Sequence, residues 1–343
     1  MSEQRQITKS NIKKVAKLLG FDDCRVSRAK EATHADVYRK WLADGCAGDM
    51  KWLERNVERR TDPSLVVEGA FSVVSLAMNY FPGAENPDVN YRIARYAWNE
   101  DYHHIIEDKL KDLNVAMTEM GGVQRFYTDT GPVLERDFAT DSGLGWNGKS
   151  CVQIHKDIGT WFFLAELITT LDLPPDSPFG DHCGKCTRCM DACPTNAITS
   201  PHRMDAQKCI SYLTIEHHGS IPVEFRRQIG DRIYGCDTCL DVCPWNRFAK
   251  LSRETRFHVR QSVFQYQLRD FFTLDAGSFS ALFAKSPIKR IKLNRFLRNV
   301  CVALGNVGTE EDLPALEKAA QHEDALIAEH AIWAVKEIKE RVG

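Results

Sequence analysis

The chain has 343 residues, a formal net charge of -2 at pH 7, 43% hydrophobic residues and 27% charged ones. That length exceeds one ordinary domain and predicts two or three packed units, while the balanced charge excludes a surface that attracts nucleic acid everywhere and leaves room for a local basic patch. The first twenty residues lack the continuous apolar run of a signal peptide, and no run elsewhere is long enough to span a bilayer, so a cytoplasmic protein with no membrane partner is expected.

In chain order, residues 8–20 carry Ile12, Val15, Leu18 and Leu19 as an apolar stripe ended by Gly20, which predicts a short amphipathic helix. In VVEGAFSVVSLAMNYF, residues 66–81, Val73, Val74 and Leu76 predict a buried strand closed by a turn at Pro82 and Gly83. YHHIIEDKLKDLNVAMTEMG, residues 102–121, has apolar positions at helical spacing. The stretch from Gln124 to His155 reads as strand, turn, helix and glycine-rich loop, and TWFFLAELIT, residues 160–169, as a further strand. This mixture predicts an α/β or α+β domain over residues 1–175 with the strand order open. LDLPPDSPFGDH, residues 171–182, reads as a linker into a cysteine-rich module at 176–250. Over 251–343 the chain turns helical: RNVCVALGNVG at 298–308 and EHAIWAVKEIK at 329–339 superimpose with an offset of 31, setting Ala303 over Ala334 and Leu304 over Val335. Between them EEDLPALEKAA predicts a helix capped by Thr309. A short HEAT-like stack fits this alternation of small and large apolar residues, and so does a plain helical cap.

Eight of the twelve cysteines fall between Cys183 and Cys243. In a reducing compartment disulfides persist poorly, so such crowding points to a bound inorganic group. Cys183, Cys186 and Cys189 are followed by Cys193 and Pro194, a spacing that lets three thiolates reach one cubane while the fourth serves a neighbouring cluster. Cys209, Cys236, Cys239 and Cys243, then Pro244, repeat the pattern with a long insertion after the first ligand. Crossed ligation predicts one [4Fe–4S] centre on Cys183, Cys186, Cys189 and Cys243, and a second on Cys209, Cys236, Cys239 and Cys193. A pair of structural zinc sites is the competing use of eight thiolates, though a dense triplet with proline after the fourth cysteine suits it poorly. Adjacent clusters form an electron path, which implies an oxidoreductase and a cellular electron donor that spacing does not name.

GLGWNGKS, residues 143–150, satisfies the phosphate-loop pattern but follows a predicted helix rather than a strand. Asp129, in YTDTGPVLER, either braces the turn at Gly131 and Pro132 or, beside a bulky cofactor, donates a proton. Asp101, Tyr102, His103 and His104 are alternative donors. KSPIKRIKLNRFLR, residues 285–298, holds six basic side chains and no acidic one. It is a solvated helix face or a set of phosphate contacts. Arg226, Arg227, Arg232 and Arg247 would extend such a patch, with Phe296 and Trp245 as stacking residues.

RYAWNEDYH (95–103), YTDTGPVLER (127–136), SGLGWNGKS (142–150), the eight cysteines, RIYGCDTCLDVCPWN (232–246), SPIKR (286–290) and the helical tail together resemble the epoxyqueuosine reductases, cobalamin-dependent iron–sulfur enzymes of tRNA modification, over nearly the whole chain. The resemblance implies an N-terminal cobalamin-binding domain related to reductive dehalogenases, a ferredoxin-like module with two [4Fe–4S] clusters, and base-off cobalamin between them. It implies electrons passing through the clusters to cobalt, and removal of the epoxide oxygen of epoxyqueuosine at the wobble position of tRNAs with GUN anticodons, those for aspartate, asparagine, histidine and tyrosine, to give queuosine. Carried onto this sequence, it makes Asp129 the catalytic acid and Arg60, Gln153, Ile154, His155, Gln207, Ser211 and Asp237 the approach to cobalamin. The partner is then a tRNA anticodon stem-loop held by Lys289, Arg290, Lys292 and Arg295, and the chain is expected to act as a monomer. Some relatives carry cysteine where this chain has Ala94, so no thiol is essential there. The competing classes are a small-molecule iron–sulfur oxidoreductase and a zinc-stapled RNA-binding adaptor.

Overall fold

The computed structural model describes residues 2–343. Its first half runs α1 (Ser2–Leu18), β1 (Asp23–Arg28), β2 (Ser72–Asn79), α2 (Tyr102–Glu119), β3 (Gln124–Tyr127), α3 (Glu135–Asp141) and β4 (Phe162–Thr169). The four strands make one sheet in the order β1-β2-β4-β3 with every neighbouring pair antiparallel. An antiparallel sheet with helices laid on it is α+β, so the open choice of topology closes on that side.

Both faces of the sheet are covered, which is why all eight residues of β2 are buried. Alternation along the strands divides the two layers. Val26, Val74, Leu76, Ala165 and Leu167 pack with Ile12 and Ala16 of α1 and with Ile106, Leu110 and Leu113 of α2. On the opposite face Val73 and Ile168 meet Phe138 of α3, and Ala77 meets Ala139 and Leu144. The apolar stripe of α1 differs from expectation at one position. Leu18 is 86% exposed, while Ile12 and Ala16 are fully buried. A helix advances about 100° per residue, so positions 12, 15, 16 and 19 share a face and position 18 lies outside it.

The segment read as a linker forms no regular element but is fastened: Asp176 accepts hydrogen bonds from Lys9 at 2.8 Å, Lys13 at 2.9 Å and the Val26 main chain at 2.9 Å. After it the two cysteine runs form matching four-residue helices, Arg188–Asp191 and Thr238–Asp241. The insertion between Cys209 and Cys236 folds as helices Ile210–Ile215 and Val223–Ile229 and strand Arg232–Tyr234.

At the C-terminal end lie α4 (Lys292–Val307), α5 (Leu313–Ala319) and α6 (Ala325–Val342). Thr309 and Asp312 form the expected capping box before α5. Ala303 and Ala334, equivalent in the sequence offset, are both fully buried. A Cβ on Gly305 would lie 2.4 Å from the Trp333 ring, so α4 and α6 approach closely. The insertion is riveted to α4 by two buried polar side chains. Arg298 donates to the carbonyls of Leu213, His217 and Gly219 at 2.7–2.8 Å, and Asn299 to those of Thr214 and Ile233 at 2.8 and 3.0 Å. Cores also cross the chain order: Tyr91, Ile93 and Trp98 pack into the C-terminal helical core, and Phe257 into the core under the sheet.

Candidate functional site

Asp129 sits just past the end of β3 with φ of +61°, a left-handed conformation that Asp tolerates better than most residues. Two contacts hold it there. Its main-chain N–H donates to Glu135 Oε1 at 2.7 Å, and its Oδ2 accepts from the Tyr102 hydroxyl at 2.6 Å. The carboxyl is otherwise open, 64% exposed, with His103 Nε2 at 4.0 Å. Tyr102 is positioned in turn: its ring stacks on Phe163 at 4.1 Å and on His103 at 4.0 Å. Burial, and then the Asp129 charge, push its phenol well above the ordinary tyrosine range, so it stays a donor. Asp101 caps α2 by accepting from the His103 N–H and binds His103 Nδ1 at 2.7 Å.

The basic segment adjoins this acid. The Asp101 N–H donates to the Lys285 carbonyl at 2.7 Å, and Tyr234, whose hydroxyl donates to the Pro287 carbonyl at 3.0 Å, meets Tyr102 through the ring of Tyr96. Lys289, Arg290 and Lys292 are exposed, with Arg290 paired to Glu216. Arg295 directs its guanidinium onto the carbonyls of Ile291, Ile215 and Arg290. Three other expected members of the patch do not join it. Arg226 is 2% exposed, paired with Glu329 and stacked on Trp333; Arg227 binds Glu337 at 2.7 Å; Phe296 is fully buried in the C-terminal core. Arg226 and Phe296 lie on inward-facing sides of their helices, whereas Arg227 is exposed and is held by the Glu337 carboxylate.

The eight cysteines of the module are free thiols, and their neighbours divide them into two groups. Burial raises Cys243, and the nearby charges of Cys183, Cys189 and Cys186 raise it further against a main-chain hydrogen bond at Trp245. Burial likewise carries Cys239 far above the usual thiol range, with Cys209, Cys236 and Cys193 among its neighbours. Among the described residues no group of three or more His, Cys, Asp or Glu side chains is drawn together as the ligand shell of a single metal ion. The module is stitched to the sheet domain. Asn246 Oδ1 accepts from the Thr160 N–H at 2.8 Å and hydroxyl at 3.0 Å. Arg95 binds Asp237 through its N–H and Asp241 through Nη1, each at 2.6 Å, and its guanidinium lies over Trp98 and Trp161.

Residues 60–130 match the family model described as epoxyqueuosine reductase QueG, and residues 182–246 match that of a 4Fe-4S double cluster binding domain. An epoxyqueuosine reductase of Xanthomonas campestris pv. campestris is 40% identical over 336 residues, spanning 95% of this chain and 95% of that protein. The chain belongs to the epoxyqueuosine reductase family. It is therefore an oxidoreductase of the epoxyqueuosine reductase type. A crystal structure of epoxyqueuosine reductase with an epoxyqueuosine-modified tRNA-Tyr stem loop superimposes with a TM-score of 0.92 at 28% identity, covering 97% of this chain and 91% of that one. The epoxyqueuosine reductase of Bacillus subtilis, with an aspartate catalytic loop swung out of the active site, superimposes with a TM-score of 0.89 at 28% identity over 97% and 91% of the two chains.

In this reductase the residues assigned to cobalamin are spread over several elements. Arg60 donates to the Gly131 carbonyl at 3.1 Å, beside Asp129, and keeps a buried Nε without a partner. Gln153, Ile154 and His155 are buried in a hairpin with Trp146 and Asn147. Gln153 exchanges hydrogen bonds with Thr140, and His155 sits between Asp23 and the Asp157 N–H. Gln207 donates to the Gly45 carbonyl at 2.9 Å, Ser211 opens the helix after Cys209, and Asp237 holds Arg95. Arg60 Nε, Trp146 Nε1 and Asn147 Oδ1 are among the unpartnered buried polar atoms of the described residues, two donors and an acceptor of the kind the amide-rich edge of a corrinoid could meet. The phosphate-loop pattern has another use: Lys149 donates to the Gly184 and Cys186 carbonyls at 2.6 and 3.0 Å, bracing the first cysteine loop. Its ammonium is committed to the protein, which argues against use of this loop as a phosphate loop. Sequence reasoning gave Lys149 only the phosphate-loop reading and assigned no role to Arg95, Glu135 or Glu166. Only Glu166 carried a signal, a lone acidic residue inside the apolar run of β4.

Among the described residues no helix is long and apolar enough to cross a membrane.

Proposed function

We propose that this chain reduces epoxyqueuosine at the wobble position of tRNAs with GUN anticodons to queuosine, with Asp129 as the proton donor. The observation that carries the reading is an open, doubly anchored carboxyl whose Tyr102 anchor follows Asp101, the residue hydrogen-bonded to the start of the basic segment at Lys285, so that one region offers both an acid for the epoxide oxygen and cations for the phosphates around it. Membership of the family and the likeness to a relative solved with an epoxyqueuosine-modified stem loop support the substrate. When bound, two [4Fe–4S] clusters, on Cys183, Cys186, Cys189 with Cys243 and on Cys209, Cys236, Cys239 with Cys193, and a cobalamin near Arg60, Gln153, Ile154, His155, Gln207, Ser211 and Asp237 supply the reducing electrons.

The residues of the chain do the rest. Tyr102 holds Asp129 Oδ2 and leaves Oδ1 to carry a proton toward the departing oxygen. A wobble nucleoside must leave its stack to reach that oxygen, at a cost of a few kcal/mol in a single-stranded loop. Lys289, Arg290 and Lys292 offset this by gripping the anticodon arm, Lys289 and Lys292 having no carboxylate partner among the ion pairs of the described residues, whereas Arg295, also expected to grip it, has its guanidinium on three carbonyls of the fold and braces the segment instead. In this reading residues 1–175 are the cobalamin domain, 176–250 the ferredoxin-like module and 251–343 the HEAT-like stack presenting the basic segment. The test is Asp129→Asn in protein loaded with iron and corrinoid. Turnover is expected to fall by roughly 10²–10⁴-fold with both cofactor contents unchanged; near-normal turnover would remove Asp129 from the reaction.

A further inference from the structure

The glycine-rich loop that follows α3 lies against the first cysteine run. Lys149, half-buried, donates from its ammonium to two carbonyls of the Cys183–Cys186 turn, Gly184 at 2.6 Å and Cys186 at 3.0 Å. Its own carbonyl accepts the His202 N–H at 3.1 Å, which pins the loop from the other side. Three residues earlier Trp146 is 1% exposed. Its ring lies 5.3 Å from that of His182, which precedes Cys183, and 4.7 Å from that of Trp245, which follows Cys243 and Pro244. One loop of the sheet domain thus brings a held positive charge and a water-excluding ring to the turns that carry Cys183, Cys186 and Cys243.

The second cysteine run is served differently. Aligned by spacing, Cys236, Cys239 and Cys243 answer to Cys186, Cys189 and Cys193, yet among the described residues no lysine donates to a carbonyl of the Cys236–Cys239 turn. Asp237 and Asp241 share the Arg95 guanidinium there, at 3.7 and 2.6 Å, and Arg232 donates to the Thr238 hydroxyl at 2.8 Å. Two carboxylates therefore face two cations. Beside the first run stand Asp181, which accepts the Cys183 N–H at 2.7 Å, and Asp191, which accepts the Thr187 hydroxyl at 2.8 Å. Lys149 and the exposed Lys185 and Arg188 outnumber them by one, and of these three only Lys149 is hydrogen-bonded to the turn itself.

Reducing an iron–sulfur cluster adds one negative charge to it, and the surrounding charges and hydrogen bonds set the potential at which that happens. A cation held close by, where water is excluded, favours the reduced form more strongly than the same cation in solvent. Resting on the two-cluster reading above, we infer that Lys149 raises the reduction potential of the cluster on Cys183, Cys186, Cys189 and Cys243, so that an electron from an outside one-electron reductant rests there before it moves on. No bond forms or breaks in that event; the cluster gains what the reductant loses. Lys149 is a positioning residue here, acting through the cluster and touching no substrate.

An electron-resonance redox titration of anaerobic, iron-loaded protein without tRNA, poised with dithionite and mediator dyes, tests this. Lys149→Gln keeps an N–H donor for the carbonyls and removes the charge. It is expected to retain its iron and to show, for one cluster, a reduced-to-oxidised ratio about tenfold lower at a given potential, equivalent to a midpoint about 59 mV lower for one electron. Lys149→Arg restores the charge and is expected to titrate as wild type. The shift should persist beside Cys239→Ser, which spares the first cluster, and vanish beside Cys189→Ser. An unmoved midpoint in Lys149→Gln, or a shift of equal size in Lys149→Arg, would overturn the inference. Loss of iron from Lys149→Gln would make the residue a brace alone and overturn it too. Wild type without iron would sink the two-cluster reading together with this inference, whereas a midpoint unmoved in iron-replete protein would sink the inference alone.

Discussion

The cysteine module and the acid site are built in opposite ways. Each cysteine helix carries cysteines within a few residues of one another, and the proposed ligand groups depart from a local motif by exchanging Cys193 and Cys243 and by the insertion after Cys209. The acid site draws Tyr102, Asp129 and Glu135 together, no two of them closer than six positions in the sequence. A site encoded by spacing survives small changes in the fold around it, whereas a site encoded by assembly depends on the sheet that brings its parts together.

The largest effect separates the two regions outright. Cys239→Ser and Cys189→Ser should each cost about half of the bound iron and all measurable turnover, because each cluster needs its four thiolates; iron and sulfide analysis of anaerobic protein checks this, and full iron retention would remove that cysteine from the ligand set. Tyr102→Phe should leave iron and corrinoid untouched and lower turnover by roughly 10–100-fold, since it removes one anchor of Asp129 and not the acid itself. Unchanged turnover would mean that the Glu135 contact alone positions the loop.

A weaker effect belongs to the basic segment. Lys289→Glu together with Lys292→Glu should weaken binding to an anticodon stem-loop about tenfold and flatten its salt dependence, because each lost phosphate contact removes about 0.9 from the logarithmic salt slope. Binding with an unchanged slope would place the RNA elsewhere. Smaller still is a pH effect on folding from His330, which is fully buried and accepts the Ile221 N–H at 3.1 Å. Burial, then the Arg226 charge, lower it from 6.5 to about 4. The unfolded chain therefore binds this proton first, so stability is fully present above about pH 6.5 and falls toward pH 4, by on the order of 2 kcal/mol. Denaturant titrations should show that slope in wild type and a flatter one in His330→Gln. This sets the background against which pH effects at the acid site are measured.

What the sequence disclosed follows the same division. The iron–sulfur module was readable because its cysteine spacing is itself the motif, and the strands at 72–79 and 162–169 because their apolar runs are interrupted only by Ser75 and Glu166. Leu18 was misplaced because apolar composition was counted without its helical angle. The basic run at 285–298 mixed two populations: Lys289 and Lys292 face solvent, while Arg298 rivets the insertion through three carbonyls and burial lowers it to about 9. Charge alone does not tell a surface arginine from an internal clamp. From the residues alone Asp129 read more readily as a turn brace, and the family resemblance made it the acid; its contacts show why the residues did not suffice, since Tyr102 and Glu135 become its neighbours only once the sheet is formed.

The most direct measurement is nucleoside mass analysis after anaerobic protein, loaded with iron and corrinoid and supplied with a chemical reductant, has met epoxyqueuosine-containing tRNA. The predicted result is a wobble nucleoside lighter by one oxygen. An unaltered nucleoside from protein carrying its full complement of both cofactors would contradict it.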